Sequence, residues 1–187
     1  LKVSKHVFVE KPLALTLKEL EEIQKSYDSS KNSLLMIGFN RRFAPQIKTI
    51  KKLIQSIRSP KSFILTINAG YISSDHWTQD ANIGGGRIVG EACHFIDLLR
   101  FLVGSKIDSW HAVRLNSPSD PCEDKATITL CFKDGSVGTI HYLSNGHKSV
   151  PKERLEVFTA GKYLFLMISS STIRKTKKTT CSKKDRF

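Results

Sequence analysis

The sequence predicts an α/β unit that runs into an α+β domain, a mostly antiparallel sheet with helices on one face. Three observations predict it. Residues 5–38 read as strand, helix and strand. Two further stretches, near 45–57 and 87–103, carry apolar residues at helical spacing. Beyond Gly104 the pattern changes to short alternating runs separated by turn residues, the signature of hairpins.

Taken in order, Lys5-His-Val-Phe-Val-Glu10 is apolar and rich in β-branched residues, so it reads as a buried strand. Lys11-Pro12 ends it, because proline has no N–H to give a sheet. Thr16 and Glu19 form a Thr-x-x-Glu capping box at the start of a helix whose apolar stripe is Leu17, Leu20, Ile23 and Tyr27. Leu34–Ile37 is a second buried strand, stopped by Gly38. A strand–helix–strand crossover of this length makes a parallel pair. Two parallel strands cannot cover both faces of a sheet, so the expectation is the later part of a longer protein. Pro45 suits the first turn of a second helix, with Ile47, Ile50, Leu53, Ile54 and Ile57 on one stripe and Pro60 beyond its end. Ser62–Gly70 reads as a strand. A third helix runs from about Arg87 to Val103, with Ile88, Ala92, Phe95, Leu99 and Leu102 on one face and Gly104 as its stop. Strands follow at 108–115, 126–132 and 137–143, the last two joined at Lys133-Asp-Gly-Ser136. Another hairpin, 155–158 with 163–166, turns at Ala160-Gly161. The domain bounds expected are 1–40, 41–168 and a basic tail over 169–187 with no periodicity, expected to be disordered.

The chain has 187 residues, 40% of them hydrophobic, which excludes a disordered or collagen-like polypeptide. Its cysteines, Cys93, Cys122, Cys131 and Cys181, form no CxxC pair and lack zinc spacing, so no metal site is expected. A reduced compartment, the cytoplasm, is the expectation. The net charge of +13 is uneven. Residues 174–187 carry seven cations against Asp185, leaving +7 for the preceding 173 residues. No nucleic-acid recognition motif accompanies that charge, and no apolar run is long enough to span a membrane, so neither partner is expected.

Five clusters carry candidate chemistry. Glu10-Lys11-Pro12 lies at the carboxyl end of a parallel strand, the edge at which open α/β sheets bind ligands. Its lysine reads either as a donor to a substrate oxygen or as a solvated strand end. Gly84-Gly85-Gly86 precedes a helix and reads as an anion cradle or as a plain turn. His94 has Glu91 three residues before it and Asp97 three after, all on one flank. A histidine titrating near neutrality can take a hydroxyl proton, and the competing reading is a satisfied boundary histidine. Tyr71–Gln79, with His76 and Trp77, offers the aromatic and hydrogen-bonding mixture that sugars want, or is a surface loop. Asn40-Arg41-Arg42-Phe43 is a candidate phosphate or carboxylate contact, or a surface pair.

Lys5-His-Val-Phe-Val-Glu-Lys-Pro12, Gly38-Phe-Asn-Arg-Arg-Phe43 and Gly84-Gly-Gly…His94-Phe-Ile-Asp97, in this order, resemble the Gfo/Idh/MocA oxidoreductases over about residues 3–166. Asn68–Leu102 further resembles a branch fused to a zinc-type alcohol dehydrogenase module and linked to surface-polysaccharide synthesis. The resemblance implies the C-terminal remnant of a Rossmann domain followed by the sheet domain, which is often used for oligomer contacts. It implies an NAD- or NADP-dependent dehydrogenase of a sugar or cyclitol, with Lys11, His94 and Glu91 in catalysis, Glu91 being the carboxylate beside the histidine that takes the place of the family aspartate. Glu10, Lys11, Pro12, Asn40 and Arg41 would lie at the cofactor, and Tyr71, His76, Trp77 and Asp97 at the substrate. Many members carry aspartate four residues before the histidine, where this chain has Gly90. The glycine-rich phosphate loop is expected upstream of Leu1, so the isolated chain is expected to be inactive. The alternative is a non-catalytic binding or oligomerisation module of the same descent.

Overall fold

The computed structural model describes residues 5–30, 32–115, 122 and 124–168. Leu1, Lys2, Cys181 and the basic tail over 169–187 lie outside the described residues.

Strands β1 (Val7–Val9) and β2 (Leu35–Ile37) pair in parallel, Phe8 opposite Met36, and helix α1 (Leu17–Asp28) crosses between them. The capping box forms as the sequence predicts. Glu19 N–H donates to Thr16 Oγ1 at 3.2 Å, and Thr16 N–H donates to Glu19 Oε2 at 3.0 Å, an arrangement worth about 1 kcal/mol. The burial expected of this unit is not met. Phe8 and Met36 are largely exposed, as are Leu17, Leu20 and Tyr27. The physical reason is that two strands and one helix cannot close over one another: Val7, Val9, Leu35 and Ile23 line an open cavity of about 1170 Å³ instead of a packed interface.

The second sheet has six strands in the order β4-β5-β6-β3-β7-β8. They are β3 (Ser62–Asn68), β4 (Ile107–Arg114), β5 (Ala126–Phe132), β6 (Val137–Leu143), β7 (Glu153–Thr159) and β8 (Lys162–Ile168). Its pairings are antiparallel except β3 with β6, which run parallel. The sheet is therefore mixed. β3 is drawn to the centre because Phe63, Leu65 and Ile67 alternate on one face and are almost wholly buried, a gain of about 1.5–3 kcal/mol for each side chain. The β7–β8 turn places Ala160 at φ 46° and Gly161 at φ 70°, the type I′ geometry that matches strand twist.

Helices α2 (Pro45–Ile54) and α3 (Cys93–Val103) cover one face. Ile47, Ile50 and Ile54 from α2 and Phe95, Leu98, Leu99 and Leu102 from α3 pack into the core. Helix α2 ends at Ile54, well short of Pro60, and Leu53 turns out to solvent instead of joining the stripe. The third helix is not uniform either. A π-helical turn, Ile88–Ala92, precedes α3. A Cβ on Gly90 would sit 2.8 Å from the Gly84 carbonyl oxygen, so glycine is needed where this wide turn lies against the Gly84 backbone. Among the described residues no helix is long and apolar enough to cross a membrane.

Candidate active site

The carboxyl end of β1, a 3₁₀ turn after β2 (Asn40–Phe43), the π turn and the 71–86 loop meet around a cleft of about 260 Å³. Its lining includes Lys11, Pro12, Arg41, Trp77, Glu91 and His94. Lys11 Nζ donates to the Gly90 carbonyl at 2.6 Å, which ties the strand end to the π turn. The Lys11–Pro12 peptide is cis. Arg41 stacks its guanidinium 4.6 Å over the Phe95 ring and pairs with Glu153 at 2.6 Å. The 77–78 segment is drawn close by Gly84, where a Cβ would lie 2.6 Å from Thr78 Cα. The close approach at Gly84 is to the protein's own backbone.

His94 is 7% exposed, and its Nδ1 is buried without a hydrogen-bond partner. The Phe39 ring meets the imidazole edge-on at 6.0 Å. Burial first, then the positive charges of Arg41 and Lys11, push its pKa down to about 4, against the opposing pull of Glu91 and Asp97. The ring is neutral at pH 7, and Nε2 is the nitrogen left to meet a ligand. Glu91 behaves in the opposite sense. Burial works to raise its carboxyl. The Tyr142 hydroxyl at 2.5 Å and Arg87 at 3.2 Å outweigh that, with help from Lys152, and hold it below the usual carboxylate range. Burial and the Glu91 carboxylate push the Tyr142 hydroxyl upward.

The remaining expected site residues are spread more widely. Asp97 is buried and paired with Arg42 through both its oxygens. It is outside the cleft lining, and each of its oxygens already accepts one donor from Arg42. Glu10 packs its carboxylate beside Gly38, away from the cleft. Asn40 lines an adjoining cavity of about 470 Å³. Tyr71 is 81% exposed and belongs to a separate small pocket with Asp124 and Ser144. His76 bonds within its own turn to Thr78 and tilts 5.8 Å from Trp77. Sequence reasoning missed Arg87, Tyr142 and Asp124. The i,i+4 spacing of Arg87 and Glu91 was a usable signal for the first. The other two reach the site across the sheet and leave no local trace.

The model of the GFO/IDH/MocA C-terminal domain matches residues 47–162. The chain belongs to the Gfo/Idh/MocA family. The myo-inositol 2-dehydrogenase of Thermotoga maritima is 27% identical over 173 residues, covering 88% of this chain and 50% of that relative. A crystal structure of a probable dehydrogenase from the same organism superposes with a TM-score of 0.73 at 26% identity, covering 88% of this chain and 50% of that one. The WlbA dehydrogenase of Bordetella pertussis, solved with NADH and UDP-GlcNAcA, gives a TM-score of 0.74 at 19% identity over 92% of this chain and 51% of its own. That likeness shows the fold alone. This Gfo/Idh/MocA chain spans about half the length of the curated relatives it matches.

Proposed function

We propose that this chain supplies the substrate side of an NAD- or NADP-dependent oxidoreductase acting on a hydroxyl of a sugar or cyclitol. The observation that carries the reading is the convergence of Lys11, Glu91 and His94 on one cleft. A volume of about 260 Å³ lies below the roughly 300–1,000 Å³ of drug-sized sites and suits a single six-carbon ring. A nicotinamide fits the described residues at this end. Pro12, Lys11 and Arg41 line the wall that would hold its ring, and the Lys11 ammonium and Arg41 guanidinium give that wall polar donors. Bound nicotinamide supplies the hydride acceptor or donor. Lys11 holds and polarises the substrate oxygen. His94, neutral at pH 7, takes or returns the hydroxyl proton through Nε2. Glu91 fixes the ring's orientation through a second hydroxyl. The relatives named above include an inositol dehydrogenase, which supports the polyol class.

Self-association through the open face of the six-stranded sheet belongs to the same reading. A non-catalytic binding module is the second reading, favoured by one observation: His94 Nδ1 has no carboxylate to orient it, as Gly90 stands where an aspartate would.

The test is turnover by the full polypeptide that the gene encodes, with NAD or NADP and myo-inositol or related sugars. His94→Ala is expected to lower kcat by about 10²-fold, the usual scale for losing a general acid–base group. An unchanged kcat removes His94 from the chemistry. Polyol binding without turnover by the wild type selects the second reading.

A further inference from the structure

Glu91 is held by one oxygen. Its Oε2 accepts from Tyr142 Oη at 2.5 Å and from Arg87 at 3.2 Å. Among the described residues, its Oε1 has only the loose approach of Lys152 Nζ at 3.9 Å, and that lysine is about half exposed. A carboxylate oxygen accepts two donors comfortably. Oε2 is therefore saturated and turned toward a fully buried tyrosine, and Oε1 retains its capacity.

The two donors are themselves fixed. Tyr142 is 0% exposed, its ring packed near Phe95 with the Arg87 guanidinium 5.6 Å above it. Arg87 is 3% exposed and donates to the Gly70 carbonyl at 2.7 Å, the Ala69 carbonyl at 3.2 Å and Asp124 at 3.4 Å. Asp124 in turn accepts from Ser144 at 2.6 Å, Lys125 at 2.9 Å and Gln79 at 3.1 Å. Gln79 belongs to the same loop as Trp77 and Thr78, which line the cleft. The catalytic-helix carboxylate and the far wall of the cleft thus share a single anchor. The titratable and charged groups facing Glu91 are Arg87 and the neutral His94 on its own helical stretch, Lys152 ahead of β7 and Glu153 within β7; the Tyr142 hydroxyl faces it from β6.

We propose that Tyr142 and Arg87 are positioning residues. They lock Glu91 by Oε2 so that Oε1 stands as a fixed acceptor for one hydroxyl of the bound polyol. The inference rests on the polyol reading above. A half-buried, fixed acceptor of this kind discriminates against a substrate that lacks the matching hydroxyl, because the oxygen then loses its partner.

Two measurements test it separately from that reading. In the chain with 13C-labelled glutamate side chains, the Glu91 carboxyl is assigned by its loss in Glu91→Gln and titrated by NMR. Tyr142→Phe keeps the ring and removes the donor. The Glu91 midpoint is expected to rise in that variant, and to rise less in Arg87→Lys, which keeps the charge. Identical titration in wild type and both variants overturns the proposal, and the Arg87→Lys variant decides alone if Tyr142→Phe does not fold. In the full polypeptide with myo-inositol and NAD, Tyr142→Phe is expected to raise KM about tenfold with kcat within about twofold. A fall in kcat at unchanged KM also overturns it. If the wild type turns over no polyol, the polyol reading has failed, and the carboxyl titration still decides whether Tyr142 and Arg87 set Glu91.

Discussion

His94 is neutral because protonation would place an unpaired N–H in a buried position facing two cations. That has a consequence for stability. Its pKa is about 4 in the folded chain, against an ordinary value of 6.5. Between those values the unfolded chain binds the proton more readily, so stability is complete above pH 6.5 and falls as the pH drops toward 4. At pH 5 the loss attributable to this residue is about 2 kcal/mol. Denaturant unfolding at pH 7 and pH 5 should show wild type losing that much more than His94→Gln. An equal loss in both would mean that His94 titrates normally. At this scale the sequence was informative where a residue's role is local. Lys11, Arg41, Trp77, Glu91 and His94 do meet at one cleft. It was uninformative where a competing partner comes from a distant segment. Asp97 shares its helix flank with His94 in sequence, yet Arg42, 55 residues away, occupies it.

Among the elements, the π turn is the feature on which the site depends. It widens the backbone at Gly90, and the Gly90 carbonyl is the acceptor that Lys11 reaches. The Gly84 carbonyl supports it from below, and Gly84 itself abuts Trp77 and Thr78. A methyl at Gly84 would meet the Trp77 carbonyl oxygen at 2.7 Å, a backbone atom that cannot rotate away. Gly84→Ala should therefore displace the cleft wall and cost about 1–3 kcal/mol, the range for overpacking. Thermal unfolding and the fluorescence of Trp77 report the two effects. An unchanged melting temperature and emission spectrum would show that the wall is loose. Helical periodicity could not reveal this turn, because it differs from an α-helix by one residue in a run whose apolar stripe continues without a break. The capping box, by contrast, was legible at Thr16 and Glu19, since its partners are three residues apart. The parallel β3–β6 pairing was not legible, because an alternating strand carries no mark of its neighbour's direction.

Across the whole molecule, the six-stranded sheet is, among the described residues, covered on one face only. Register places Thr129 opposite Thr139, Ile64 opposite Thr139 and Glu156, and Phe158 opposite Tyr163, all on the face away from α2 and α3. This open face is of low charge. Arg154 and Glu156 pair with each other at 2.8 Å, Tyr163 bonds to Glu156 at 2.7 Å, and His141 bonds to Thr127 at 3.0 Å. Its polar groups largely satisfy one another, so their burial would cost little. Strand spacing and rise give it a span of roughly 24 by 23 Å, comparable with one side of a standard interface at ~800 Å². We propose a second copy of the chain as the occupant, since a face whose charges are already paired can be covered by its own like without leaving a charge unmatched. Sedimentation velocity at micromolar concentration should give a dimer. Ile64, 38% exposed at the centre of the face, is the position to change. Ile64→Lys would bring an ammonium into the contact, where even beside Glu156 its desolvation costs several kcal/mol, and should give a monomer with unaltered circular dichroism. A wild-type monomer would refute the interface. A dimer that survives Ile64→Lys would move it to another surface, of which the exposed β4 edge at Trp110 and Val113 is the next to test, since an unpaired strand edge is the other element here able to recruit a copy of itself.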